Sequence, residues 1–105
     1  MALTAIEREV LKVARESIRT KKYEFVCHAI EFAQVPDAPL GELILAKNRL
    51  CAYVRESLRG FCTLGIWIAH RNRWRCKSER YERNARIAWI TWMLGGKVKF
   101  DPEGV

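Results

Sequence analysis

From Ile6 onward, apolar residues recur at helical spacing: Ile6, Val10, Val13, Ala14 and Ile18 share one stripe, while Glu7, Arg8, Lys12, Arg15 and Arg19 fall elsewhere on the wheel. This predicts an amphipathic helix with one face packed inward. Thr4 followed by Glu7 has capping-box spacing, in which hydroxyl and carboxylate each satisfy an orphan backbone donor of the first turn, and Thr20-Lys21-Lys22 ends the pattern. A second helix is predicted from Tyr23 to about Gln34, with Phe25, Val26, Ala29, Ile30 and Ala33 on a broad buried face. Val35-Pro36 closes it, because a residue before proline is pushed out of the α region.

Asp37 followed by Ala38-Pro39 suits a cap with proline in the first turn, and a third helix is predicted from about Pro39 to Arg59. Its core stripe is Leu43, Ile44, Leu50, Cys51, Val54 and Leu58; Lys47, Arg49, Arg55 and Arg59 form its wet face, and Gly60 supplies a left-handed stop. The apolar run Phe61 to Ala69 fits either a buried strand or a short helix capped by Thr63, and the lack of nearby partner strands favours the helix. Arg71 to Ser78 reads as a loop. Ser78 then caps a last helix to Leu94, with Tyr81, Ala85, Ala88, Trp89, Trp92 and Met93 on one stripe. Ile87, Ile90 and Leu94 widen that stripe, so the C-terminal half of the helix is expected to be nearly surrounded by protein. Gly95-Gly96 stops it, Lys97 to Phe100 alternates like a short C-terminal edge strand, and residues 1–3 and 101–105 are expected to fray.

The expectation is therefore an all-α fold, a compact single-domain bundle of four to five helices spanning residues 1–105. A chain of 105 residues, half of them hydrophobic, is long enough for one core and too short for a second. No apolar run approaches the roughly 20 residues of a membrane span, and the amphipathic, charged N-terminus is unlike a signal peptide. A cytoplasmic protein that makes no membrane contact is expected.

Charge sharpens the picture. The formal net charge is +7, and residues 71–86 alone carry a net +5, so the surplus sits on one loop and the start of the last helix. The candidate binding residues are Arg71, Arg73, Trp74, Arg75, Lys77, Arg80, Arg83 and Arg86. Arginine's planar fork grips phosphates or carboxylates bidentately, an indole can stack on a base, and Arg80, Arg83 and Arg86 drift slowly around one helix face. The competing explanation is a solvated face, with Glu79 and Glu82 paired to Arg83 and Arg86 and Trp74 folded onto the core. No helix-turn-helix, zinc-finger or RNA-recognition signature accompanies the basic run.

Catalytic chemistry finds little support. Cys27, Cys51, Cys62 and Cys76 read as reduced thiols, with Cys27 and Cys51 inside apolar patterns as small core residues. His28 and His70 add further soft ligands, but no ligand pair has the spacing of a structural zinc site. Asp37 and Asp101 adjoin prolines, as capping and turn residues do, and a Cys51 or Cys62 pairing with His70 lacks any nucleophile-elbow or phosphate-loop context. The chain is expected to be no enzyme and to need no cofactor or metal.

Three stretches carry a resemblance: Tyr23-Glu24-Phe25-Val26-Cys27-His28-Ala29-Ile30, Tyr53 to Leu58 with Gly60 and Thr63-Leu64, and Ala85-Arg86-Ile87-Ala88-Trp89-Ile90-Thr91-Trp92-Met93-Leu94. Together they resemble segments of small accessory proteins of tailed bacteriophages and prophages. The resemblance implies a non-enzymatic protein that binds and modulates a host macromolecule, for example as an anti-CRISPR or other anti-defence inhibitor. The implied partner is a host protein or nucleoprotein complex, met through the basic segment. A basic chain departs from acidic DNA mimics. The alternatives are a nucleic-acid-binding protein and a virion or packaging-associated protein, and a homodimer built on the apolar half of the last helix is a further option.

Overall fold

The computed structural model describes residues 2–63 and 79–96; for residues 55, 57–63 and 79–82 it describes the backbone. Four α-helices and no strand occur among the described residues: α1 (Ala5–Arg19), α2 (Val26–Glu31), α3 (Leu40–Thr63) and α4 (Glu79–Met93). The all-α class follows the helical periodicity of the chain. The expected strand at Lys97 to Phe100 and the loop from Arg71 to Ser78 lie outside the described residues, as does the Leu64 to Ala69 part of the apolar run.

α1 begins where the capping box predicts. Glu7 N–H donates to Thr4 Oγ1 at 3.1 Å, and Thr4 N–H donates to Glu7 Oε1 at 2.9 Å. It ends in a Schellman turn: Lys22 N–H reaches Ser17 O and Lys21 N–H reaches Ile18 O, with Lys21 left-handed at φ 64°. The turn also consumes the N–H of Tyr23, which donates to Ser17 O. This corrects the expected start of α2 at Tyr23: Phe25, at φ −103° and ψ 143°, is still outside the helix, which is only six residues long.

The start of α3 also differs from expectation. Asp37 sits inside a turn closed by Ala38 N–H on Val35 O, and Pro39 immediately precedes the helix, its carbonyl accepting from Leu43 N–H. Gly60 does not stop α3, which runs through it to Thr63, and the helix expected after Thr63 lies outside the described residues. A glycine inside a helix costs about 1 kcal/mol relative to alanine, a penalty too small to end a helix by itself. At the end of α4 the glycine prediction holds. Gly96 N–H donates to Thr91 O and Gly95 N–H to Trp92 O, with Gly95 at φ 83°, a full Schellman motif.

α1 is the central element and touches each of the other three helices. Val10, Leu11, Ala14 and Ile18 of α1 share one core with Val26, Ala29 and Ile30 of α2, with Ala33 just beyond it, with Leu50 and Val54 of α3, and with Ile90 and Met93 of α4. Because neighbours stand on more than one side of α1, its buried surface is wider than the predicted stripe: Leu11 is fully buried, and so is Glu7, expected on the wet face. Each fully buried aliphatic side chain contributes about 1.5–3 kcal/mol of transfer free energy. Every residue from Arg83 to Leu94 is buried or half-buried, in keeping with an α4 whose C-terminal half is enclosed by protein.

Polar contacts pin the frame. Arg8 Nη2 donates to Leu94 O at 3.2 Å, placing a cation on the C-terminal carbonyls of α4, and Arg15 Nη1 donates to Thr91 Oγ1 at 3.2 Å. Lys47 Nζ donates to Glu31 O at 2.9 Å and so fixes the end of α2 against α3. Lys47, expected on the wet face, is half-buried there.

Candidate interaction surface

The surface of interest is where Arg86 of α4 reaches Phe25, the residue just before α2. Of the residues marked by the sequence, Arg71, Arg73, Trp74, Arg75 and Lys77 lie outside the described residues, and Arg80 belongs to the first turns of α4. Arg83 and Arg86, one turn apart, are half-buried on α4. Arg86 lies over a ring: its guanidinium carbon is 5.0 Å from the centroid of Phe25. Such a cation–π contact contributes about 0.5–1 kcal/mol when exposed and more when water is excluded.

Phe25, expected in the core, is instead 49% exposed. Successive residues of a helix are about 100° apart, so Val26, Ala29, Ile30 and Ala33 cluster on one side and bury, while Phe25, His28 and Phe32 run along the edge of that cluster. The rings touch in two pairs. Phe25 meets His28 edge-on, with centroids 5.9 Å apart and planes at 83°, and Phe32 stacks on Tyr23 at 5.5 Å and 15°. Lys22 Nζ stands 5.9 Å from the Tyr23 centroid, so each ring pair has a cation beside it.

Cys27 also departs from its expected place. It projects from α2 on the solvent side and is exposed, whereas Cys51 is half-buried. Phe32 is 54% exposed, and the first turns of α3 add Leu40, Ile44 and Leu45 as exposed large hydrophobics. Ile44 is thus no member of the core stripe expected of it, because the inward side of α3 is formed by Ala46, Leu50 and Val54. Trp89 and Trp92 pack against the core as expected of aromatics on an apolar stripe.

This arrangement suits adhesion. Aromatic and arginine side chains in contact are among the residue types that dominate interface energetics. Among the described residues no group of three or more His, Cys, Asp or Glu could hold a metal ion, and no helix is long and apolar enough to cross a membrane. The aromatic edge was legible in part. Phe25, His28 and Phe32 are spaced i, i+3 and i+7, but Phe25 borders the buried cluster so closely that periodicity alone assigns it inward.

Comparison with protein-family models, curated proteins and solved structures gave no match for this chain.

Proposed function

We propose that this chain is a non-enzymatic interaction protein of the bacteriophage accessory type, binding a protein or nucleoprotein of the bacterial host and modulating it. Contact is made through the basic row of α4 and the aromatic edge of α2. The observation that carries this reading is the seating of Arg86 on the exposed Phe25 ring. A cation held on an aromatic face combines anion recognition with a hydrophobic anchor, and protein interfaces concentrate their binding free energy in such residues. Phe25 and Phe32, both about half exposed, offer a protein partner apolar anchor area.

The test is affinity capture of the intact chain from bacterial host lysate, with and without nuclease, repeated with Phe25→Ala and Arg86→Gln. A partner retained after nuclease and lost with both variants supports the proposal. No retained protein under either condition overturns it. Nucleic-acid binding is the second reading, favoured by the net +5 of residues 71–86. It expects a gel shift on single- or double-stranded DNA at low salt whose affinity falls steeply with salt, and a shift unaffected by replacing Arg73, Arg75, Lys77, Arg80 and Arg83 with Gln removes the basic row as its cause.

A further inference from the structure

The outward face of α3 carries an unusual uncharged stripe. Ala46, Leu50 and Val54 are buried, and on the opposite side Gly41, Ile44, Leu45, Asn48 and Ala52 are exposed without a charge among them; Leu40, at the helix start, is exposed as well. Leu40 is 73% and Leu45 65% exposed. On a 30%-charged chain, three turns of bare, uncharged helix need a reason, since contiguous exposed apolar surface marks interaction sites.

The spacing supplies the first part of that reason. Gly41, Leu45, Asn48 and Ala52 recur at intervals of four, three and four, the seam of a helix pair. Glu42 and Arg49 border one side of the seam, seven residues apart, and Ile44 and Cys51 border the other. In a parallel pair, flanking residues of opposite sides meet, so Glu42 and Arg49 would face the apolar border of the second helix. In an antiparallel pair, equivalent sides meet. Glu42 of each copy then faces Arg49 of the other, twice over, Leu45 lies against Asn48 of the second copy, and Gly41 lies against Ala52.

We propose that this face of α3 is a homodimer interface, formed by two copies about a two-fold axis that crosses α3 between residues 46 and 47, with the helices antiparallel. The face is complementary to itself in charge, as an isologous contact requires. It is also complementary in size. A Cβ at Gly41 would meet nothing within 4 Å, so the backbone is open to close approach, and Ala52 opposite it is small. Glu42 is exposed, and Arg49, although paired with Glu7 at 3.5 Å, keeps 53% of its side chain exposed. A seam of three turns is small beside standard interfaces of about 1,200–2,000 Å², so the dimer is weak and reversible.

Sedimentation velocity of the intact chain across a wide micromolar range tests this. The expected result is a concentration-dependent shift from monomer to a species of twice the mass. Leu45→Asp is expected to weaken association about tenfold or more, with unchanged helical circular dichroism because Leu45 supports no core contact. Glu42→Lys is expected to weaken it several-fold at low salt, with partial recovery as salt screens the repulsion between the introduced lysine and Arg49 of the second copy. This second variant carries the test if Leu45→Asp loses helicity. A wild-type chain that sediments as monomer at every concentration overturns the proposal, as does a dimer indifferent to both variants. If the wild type is monomeric while Leu45→Asp abolishes capture of a host protein, the face belongs to that partner and the dimer is rejected.

Discussion

Glu7 and Arg49 stand 3.5 Å apart across the α1–α3 contact, and they share that contact unequally: the Glu7 side chain is 1% exposed and Arg49 is 53% exposed. One Glu7 oxygen serves both the Thr4 cap and Arg49, while Oε2 is buried with no hydrogen-bond partner. A buried carboxylate depends on its counter-charge, whereas a half-exposed guanidinium can fall back on water. Arg49→Ala is therefore expected to cost about 1–2 kcal/mol and Glu7→Gln about 1 kcal/mol, the amide keeping the volume and one cap acceptor. Urea unfolding of both singles and the double is the measurement, and the double should lose less than the sum of the singles, because the two residues share one interaction.

The two Schellman turns make opposite predictions at equivalent positions. Lys21 holds φ 64° at the end of α1, and Gly95 holds φ 83° at the end of α4. A side chain in the left-handed region costs about 1 kcal/mol, so Lys21→Gly is expected to raise stability by about 0.5–1 kcal/mol and Gly95→Ala to lower it by about 1 kcal/mol. Thermal melts of the two variants beside the parent check both signs.

Leu11 is the second test of the core. Its complete burial sets it apart from Val13, which the sequence pattern favours and the fold leaves half-buried. Leu11→Ala is expected to cost about 2–4 kcal/mol through lost transfer energy and the cavity left behind, and Val13→Ala clearly less. Chemical denaturation that ranks these two the other way would contradict the packing of α1.

Phe25 separates stability from binding. Half of its surface is in water, so Phe25→Ala is expected to destabilise by only about 1 kcal/mol, including the contact with Arg86. The same change is expected to weaken partner capture about tenfold or more, as for a residue anchoring an interface. Circular dichroism melts together with binding titrations of one captured partner distinguish the two effects.

The helices themselves were largely legible. Thr4 with Glu7, Gly95 with Gly96 and the spacing of Val10, Ala14 and Ile18 are local signals, and local hydrogen bonds answer them. Other positions were decided by more than their local pattern. Gly60 is a weak local breaker, and α3 passes through it. Tyr23 fits a helical pattern, but its N–H is taken by Ser17 O. The basic segment was visible as charge, yet only two of its members, Arg83 and Arg86, have described side chains, and the aromatic edge beside them was hidden within an apolar pattern.

Spacing, capping chemistry and composition act over a few residues, and they were enough to establish an all-α chain, the capped ends of α1 and α4, and a positive charge concentrated ahead of and within α4. Long-range packing settled the rest: Glu7 is buried against Arg49, Leu11 joins the core, and Phe25, Phe32, Ile44 and Leu45 face outward. A helical wheel shows which residues share a side of a helix, but how many sides are covered depends on the neighbours packed around it. α1 and α3 each touch the three other helices, but α1 buries a wide arc that takes in Glu7 and Leu11, while the first turns of α3 leave Leu40, Ile44 and Leu45 bare.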